Sequence, residues 1–143
     1  MNDSNKSQNF WTIYIRTYGA PWEPYFCVTI ANTDSISVEK YISKNDSING
    51  KSKCFLEKKI KFNITNEERL EIYNLTKRTL KEFDFPKHEH SFDGASISIE
   101  LNENETSLKC EYDYIGEIEN ASPDVEKIVN LINKNLDKKD MIY

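Results

Sequence analysis

The clearest hydrophobic pattern of the chain lies between residues 92 and 136. It alternates apolar and polar positions through Ala95, Ile97, Ile99 and Leu101, breaks at polar residues 102–105, and resumes through Leu108, Cys110, Tyr112 and Tyr114. A period of two is typical of a strand with one buried side and one solvated side. Two such runs around a short polar break predict an antiparallel hairpin.

A helix is predicted directly after this hairpin. Ser122 is a good N-cap residue, and Pro123 fits the first helical position because it has no backbone N–H to leave unpaired. The positions that follow form an apolar stripe at helical spacing, made of Val125, Ile128, Val129, Ile132 and Leu136. Such a stripe needs a partner surface, so we expect the helix to cover the hairpin.

Four further strands are predicted before the hairpin, at residues 10–17, 25–31, 35–42 and 53–63. The second is nearly all apolar or β-branched, which predicts cover on both of its faces. In the fourth, Leu56, Ile60 and Phe62 share one side, and Lys58 is a misfit on that side.

Thr65 and Glu68 form a capping-box pattern that predicts the start of a first helix. Its predicted buried stripe consists of Leu70, Tyr73, Leu80 and Phe83, widened by Ile72 and Leu75. The predicted order is therefore β-β-β-β-α-β-β-α. We expect a single α+β domain over residues 1–143, largely antiparallel, with two amphipathic helices on one face and loose tails at 1–9 and 138–143.

The charge of the chain is unevenly distributed. Its 143 residues carry 24 acidic and 19 basic side chains, a net charge of −5. Residues 93–137 hold 11 acidic residues and 3 lysines, a net of −8, which leaves 13 acidic and 16 basic residues, a net of +3, in the rest. An acidic balance argues against a nucleic-acid partner. The chain also lacks an apolar run of about 18 residues and a secretory start, so we expect no membrane partner and a cytoplasmic location.

Catalytic and metal-binding chemistry find little support in the sequence. The three cysteines, Cys27, Cys54 and Cys110, are odd in number and far apart, which favours buried thiols over disulfides. His88 and His90 could contribute to a metal site, but no other histidine exists to complete one, so a solvated connector is favoured. The chain has no Gly-x-Ser-x-Gly elbow and no glycine-rich phosphate loop. We therefore expect no enzyme activity, no metal and no cofactor.

The candidate partner-binding residues are mainly acidic. They lie at the predicted hairpin tip, on the solvated side of its second strand and in the loop beyond it: Glu103, Glu105, Glu111, Asp113, Glu117 and Glu119. Such a set is either a solvated surface or a site for a basic partner, which it would attract electrostatically. Trp22, in a turn held by two prolines, is a further candidate contact, or it folds back over the sheet edge.

Part of the chain resembles a known kind of protein. The resemblance lies in the pattern Phe92-Asp93-Gly94-x-Ser96-Ile97-x-Ile99-Glu100, the aromatic-rich strand after it, and the helix from Ser122-Pro123 to Leu131-Ile132. This last third of the chain resembles small bacterial proteins, some of them immunity proteins of polymorphic or contact-dependent toxin systems.

The resemblance implies a stoichiometric inhibitor that occludes a basic toxin, such as a nuclease, through an acidic surface. Two alternatives stay open: a small-molecule-binding protein, and an interaction module that self-associates through a strand edge at residues 10–17. A monomer is slightly favoured over an oligomer.

Overall fold

The computed structural model describes residues 10–19, 24–32, 35–45, 52–82, 95–116, 118 and 121–143; for residues 45, 52 and 114–116 it describes the backbone alone. Its strands are β1 (Trp11–Tyr18), β2 (Tyr25–Ala31), β3 (Ile36–Asn45), β4 (Ser52–Phe62), β5 (Ala95–Glu103) and β6 (Thr106–Gly116). Its helices are α1 (Asn66–Lys81) and α2 (Pro123–Asn133), followed by a 3-10 turn (Lys138–Asp140) that the sequence pattern did not predict.

The six strands form one antiparallel sheet in the order β4-β3-β2-β1-β5-β6. The N-terminal strand β1 lies in the middle and pairs with β2 on one side and β5 on the other. Because both of its edges are hydrogen-bonded, the predicted self-association through residues 10–17 is wrong.

One face of the sheet carries the core. Ile15 lies opposite Val28 of β2 and Ile99 of β5, and all three side chains are fully buried. Helix α1 adds Ile72 and Leu75 to this core, and α2 adds Val125, Ile128, Val129 and Ile132. Leu136, the last residue of the predicted stripe, is also buried but lies beyond the end of α2 at Asn133. The α+β class with both helices on one face is thus confirmed. The other face, called the open face below, holds the alternate side chains of each strand, and none of the described helices packs on it.

Strand β2 differs from its prediction. Its side chains alternate between buried Phe26, Val28 and Ile30 and half-buried positions on the open face. The run of apolar and β-branched residues suggested cover on both sides. The open-face positions of this run are instead tyrosine, cysteine and threonine, whose side chains tolerate partial exposure.

Helix α1 begins as predicted, because the Thr65 side chain caps the Glu68 backbone N–H at 3.1 Å and Glu68 reaches back to Thr65. Its buried stripe differs from the predicted one: the buried positions are Ile72, Leu75, Thr76 and Thr79, whereas Leu70 is 57% exposed. Thr76 and Thr79 are buried although they are polar, and a count of apolar residues alone does not find them. Phe83 lies outside the described residues.

The predicted C-terminal tail is ordered against the core, so that expectation is wrong. Ile142 is fully buried, and its backbone forms two hydrogen bonds with the Asn133 side chain, at 2.8 and 3.0 Å. Asp140 is buried beside Lys58, whose ammonium donates to it at 2.9 Å. This pair explains why a lysine occupies the core-facing side of β4. The predicted tail at residues 1–9 lies outside the described residues.

A bulge alters the register of the β3–β4 hairpin. The pairing shifts between Lys40 and Tyr41, so that Tyr41 pairs with Leu56 on the open face. Leu56 is therefore 51% exposed and does not share the buried side of Ile60 and Phe62, as the alternation had predicted. A bulge of this kind inserts one residue and reverses the side-chain parity beyond it.

Candidate partner-binding surface

Strand β6 is an edge strand, hydrogen-bonded to β5 alone among the described strands. Glu111 lies on its open face, and Asp113, two positions later, is also exposed, at a point where the pairing with β5 becomes irregular. Two positions apart on one strand, their Cα atoms lie about 7 Å from each other. The cross-strand neighbour of Glu111 is Ser98, which brings no charge. These two carboxylates are the members of the predicted set that the structure places side by side.

Glu105 lies at the other end of the same hairpin. Asn104 and Glu105 form a two-residue turn, with φ of 49° and 65°, which matches the handedness of a tight hairpin turn. The polar break is thus half as long as the pattern suggested. Glu105 is exposed, but Glu111 lies six positions further along the chain, a distance of about 20 Å along a strand. It is a separate charge, not part of one cluster.

Glu103 belongs to the helix-facing side of the sheet, opposite Trp11 in the register. The Tyr73 hydroxyl of α1 donates a hydrogen bond to its carboxylate, and the Lys77 ammonium lies 4.0 Å away. Trp11 and Tyr73 stack with their ring centroids 4.8 Å apart. Burial and the bond to Glu103 raise the pKa of Tyr73. Glu103 therefore connects α1 to the sheet and lies apart from Glu111 and Asp113.

Helix α1 also neutralises part of the acidic C-terminal third. The Arg78 guanidinium donates to both carboxylate oxygens of Asp124 at 2.6 Å, and it lowers the pKa of that carboxyl group. A basic residue of the C-terminal third, Lys134, in turn pairs with an acidic residue of α1, Glu68, at the start of that helix. The local net charge counted along the sequence thus overstates the negative charge that remains for a partner. Pairing between distant segments is not visible in a linear count.

Several predicted candidates lie outside the described residues: Trp22, His88, His90, Glu117 and Glu119. Within the described ranges, no group of three or more His, Cys, Asp or Glu side chains is arranged to hold a metal ion. The thiol of Cys110 is buried, and that burial raises its pKa to about 11, as expected for a structural cysteine and not for a nucleophile.

The structure reveals a groove that the sequence pattern did not predict. It lies between the C-terminal half of α1 and the turn end of the β5–β6 hairpin, and has a volume of about 710 Å³. Leu80, Leu101 and Leu108 form apolar walls, and Lys81 and Glu103 lie at its margin. Leu108 has the parity of a core residue and pairs with Leu101, yet it is 52% exposed because α1 does not extend over it. An exposed leucine at a strand position that the alternation assigns to the core therefore marks this groove.

Neither described helix is long and apolar enough to cross a membrane. A comparison with protein-family models finds no match for the chain. Comparisons with curated proteins and with solved structures find none either.

Proposed function

We propose that the protein is a stoichiometric inhibitor, of the immunity-protein kind, that binds a cationic protein in the bacterial cytoplasm. The observation that supports this proposal is the edge strand β6, which carries exposed Glu111 and Asp113 and has β5 as its one neighbour among the described strands. An exposed edge can add a strand from another chain, and the main-chain hydrogen bonds then supply affinity. The carboxylates supply attraction and orientation for a basic partner.

The chemistry suits a toxin that acts on nucleic acid. Such an enzyme has a cationic surface for phosphates, and two neighbouring carboxylates can occupy the positions of two phosphate charges. Glu105 at the turn would extend the contact, whereas Glu103 would contribute through the fold because Tyr73 and Lys77 already contact it. Inhibition by occlusion requires no catalytic residue, metal or cofactor.

The test is capture of a partner from lysate of the source cell, with the purified protein as bait. We expect one basic protein bound 1:1, in amounts that fall as salt rises, and its loss from the variant with Glu105→Lys, Glu111→Lys and Asp113→Lys. The matched control reverses three helix charges, Glu71→Lys, Glu82→Lys and Glu126→Lys, and should bind normally. Equal capture by both variants would remove the electrostatic mechanism.

A second candidate function is small-molecule binding, and the groove beside Leu108 favours it. Its volume of about 710 Å³ falls within the range of roughly 300 to 1,000 Å³ that is usual for ligand sites. A thermal-shift screen of metabolites tests this candidate. Leu108→Trp should fill the groove and abolish any ligand-induced rise in Tm, while leaving capture of a protein partner unchanged.

A further inference from the structure

The β3–β4 hairpin extends beyond the rest of the sheet. In the described registers, β2 pairs with β3 as far as Tyr41, whereas β3 and β4 stay paired out to Asn45 and Ser52. Residues 42–45 and 52–55 therefore form a two-stranded ribbon that no other described strand joins. This ribbon is called the hairpin arm below.

Two pairs of lysines lie on the core-facing side of this hairpin. Lys40 lies directly opposite Lys58, and Lys44 lies directly opposite Lys53. The Cβ atoms of directly opposed residues are about 5 Å apart, and like charges at such positions destabilise a sheet. Each pair therefore favours the approach of a carboxylate that can contact both ammonium groups.

The first lysine pair is neutralised within the chain. Asp140 accepts a hydrogen bond from the Lys58 ammonium at 2.9 Å and lies 3.7 Å from the Lys40 ammonium. Glu57, at the bulge, adds a second carboxylate 3.5 Å from Lys40. A directly opposed lysine pair on this hairpin thus holds a carboxylate from a segment that is distant in the chain.

The second lysine pair lies in the hairpin arm and has no such carboxylate. Lys44 and Lys53 are both exposed, and no acidic side chain of the described residues forms an ion pair with either of them. The Lys44 ammonium lies over the Phe55 ring, 5.9 Å from its centroid. The repulsion between the two lysines is therefore not offset by a carboxylate from the described part of the chain.

An exposed aromatic ring lies beside this second pair. Phe55 is opposite Ile42 in the register, two residues along each strand from the lysines, and it is 46% exposed. Two residues span about 7 Å of a strand. The arm therefore presents two ammonium groups and an apolar surface about 7 Å apart. Side chains two residues apart in an extended peptide lie on one side of it and have the same separation.

We propose that the hairpin arm binds an acidic segment of another protein. A carboxylate of that segment lies between Lys44 and Lys53, and an apolar side chain two residues along packs on Phe55. The contact repeats the one that Asp140 makes with the first lysine pair. Such a segment offsets the repulsion between the lysines and also covers the exposed ring, which a basic partner cannot do.

Two other anionic partners fit the arm less well. An anionic bilayer would have to take up Phe55, but Lys44 and Lys53 lie nearer to the end of the arm than Phe55 does, and burying their charges in lipid is costly. A single-stranded nucleic acid stacks its bases on free aromatic faces. Here the Lys44 ammonium already lies over the Phe55 ring.

This inference goes beyond the inhibitor proposal and does not rest on it. The arm belongs to β3 and β4, at the opposite edge of the sheet from β6, and it attracts a partner of the opposite charge. Failure to bind an acidic segment would leave the capture of a basic partner by β6 intact. Failure of that capture would in turn leave binding at the arm intact.

The first experiment titrates ¹⁵N-labelled protein with the peptide acetyl-Thr-Glu-Thr-Phe-Thr-amide and follows the backbone amide shifts. We expect saturable shifts centred on residues 42–45 and 52–55, with a Kd of roughly 1 mM for so short a ligand. The peptide with Gln in place of Glu should bind roughly tenfold more weakly, because it loses charge-assisted hydrogen bonds. The peptide with Ala in place of Phe should also bind more weakly, because it buries less apolar surface.

The variant with Lys44→Gln and Lys53→Gln should lose these shifts. The matched control, Lys59→Gln with Lys61→Gln, neutralises two exposed lysines on the other side of the same hairpin and should bind as wild type does. Absence of saturable binding, shifts centred elsewhere, equal binding of the Gln peptide, or equal losses in both variants would each overturn the proposal. So would binding of phosphatidylglycerol vesicles or single-stranded DNA that depends on Lys44 and Lys53 while the peptide does not bind.

A second measurement tests the repulsion without any ligand. Lys53→Glu places a carboxylate opposite Lys44 and should raise Tm. Lys59→Glu changes the net charge equally but places a carboxylate opposite Glu39, so it should lower Tm. A Tm of Lys53→Glu that does not exceed that of wild type would show that the lysine pair needs no carboxylate, and the proposal would fail.

Discussion

The Arg78 guanidinium forms two parallel hydrogen bonds with the Asp124 carboxylate, each 2.6 Å long. Arg78 lies near the end of α1, and Asp124 lies in the first turn of α2. A carboxylate is favourable at that end of a helix, because backbone N–H groups there point outward. The pair therefore connects the two helices and also stabilises the start of the second.

Asp124→Asn should destabilise the fold most at neutral pH. Arg78 lowers the pKa of Asp124 in the folded chain, so the stabilisation is present above the unfolded pKa, near 4, and disappears as the pH falls through the folded value. We expect Tm to fall by a few degrees at pH 7, because the pair is partly solvated. Denaturation of wild type and variant from pH 7 to pH 2 checks this. A difference that stays constant in acid would contradict the assignment.

Asp140→Asn should release the C-terminal segment from the sheet. The carboxylate accepts from Lys58 at 2.9 Å and lies 3.7 Å from the Lys40 ammonium, and the bond from Lys58 lowers its pKa. The variant should show faster hydrogen exchange at the Ile142 amide, whose hydrogen bond to Asn133 holds the segment in place. Asp137→Asn, at an exposed position three residues earlier, is the control and should leave that exchange rate unchanged.

Leu101→Ala and Leu108→Ala should differ strongly although the two residues pair across β5 and β6. Leu101 is 3% exposed, so its truncation leaves a cavity and should cost about 2 to 5 kcal/mol of unfolding free energy. Leu108 is 52% exposed and borders the groove, so its truncation should cost below about 1 kcal/mol. Urea denaturation measures both. Equal losses would mean that α1 covers Leu108 in solution.

The three thiols should react with a maleimide in a fixed order. Cys54 is exposed and should be labelled first, Cys27 is half-buried and should follow, and Cys110 should react only on unfolding. With a pKa of about 11, Cys110 is a thiolate in roughly one molecule in 10,000 at pH 7. Mass spectrometry over time, with Cys54→Ser as the control, checks the order. Rapid double labelling of that variant would contradict it.

Sequence periodicity predicted the elements and the β5–β6 hairpin, but it left the order of the strands in the sheet open. The β5–β6 hairpin, the Thr65 and Ser122 caps and the stripe of α2 follow from local spacing, because each depends on residues within a few positions. The central position of β1 depends on its pairing with β5, whose residues lie 78 to 92 positions later in the chain, and local spacing cannot show this.

The candidate surface was predicted in part. Alternation placed Glu111 and Asp113 correctly on a solvated side, and the hairpin turn exposes Glu105. The sequence placed Glu103 with Glu105 at the hairpin tip and gave no sign of its contacts with α1. Its partners Tyr73 and Lys77 lie 26 to 30 residues earlier in the chain. The bulge at Tyr41 and the burial of Ile142 likewise arise from tertiary contacts without a local signature.

The position of β1 between β2 and β5 has a consequence for synthesis on the ribosome. Strands β1 to β4 follow one another as neighbouring hairpins and can assemble as they emerge. Until residues 95–103 leave the exit tunnel, however, the nascent chain has no described strand to cap the inner edge of β1. The sheet is therefore completed late, when β5 from the second half of the chain pairs with β1. If the chain is cut between α1 and β5, its two fragments can reassociate through this same pairing.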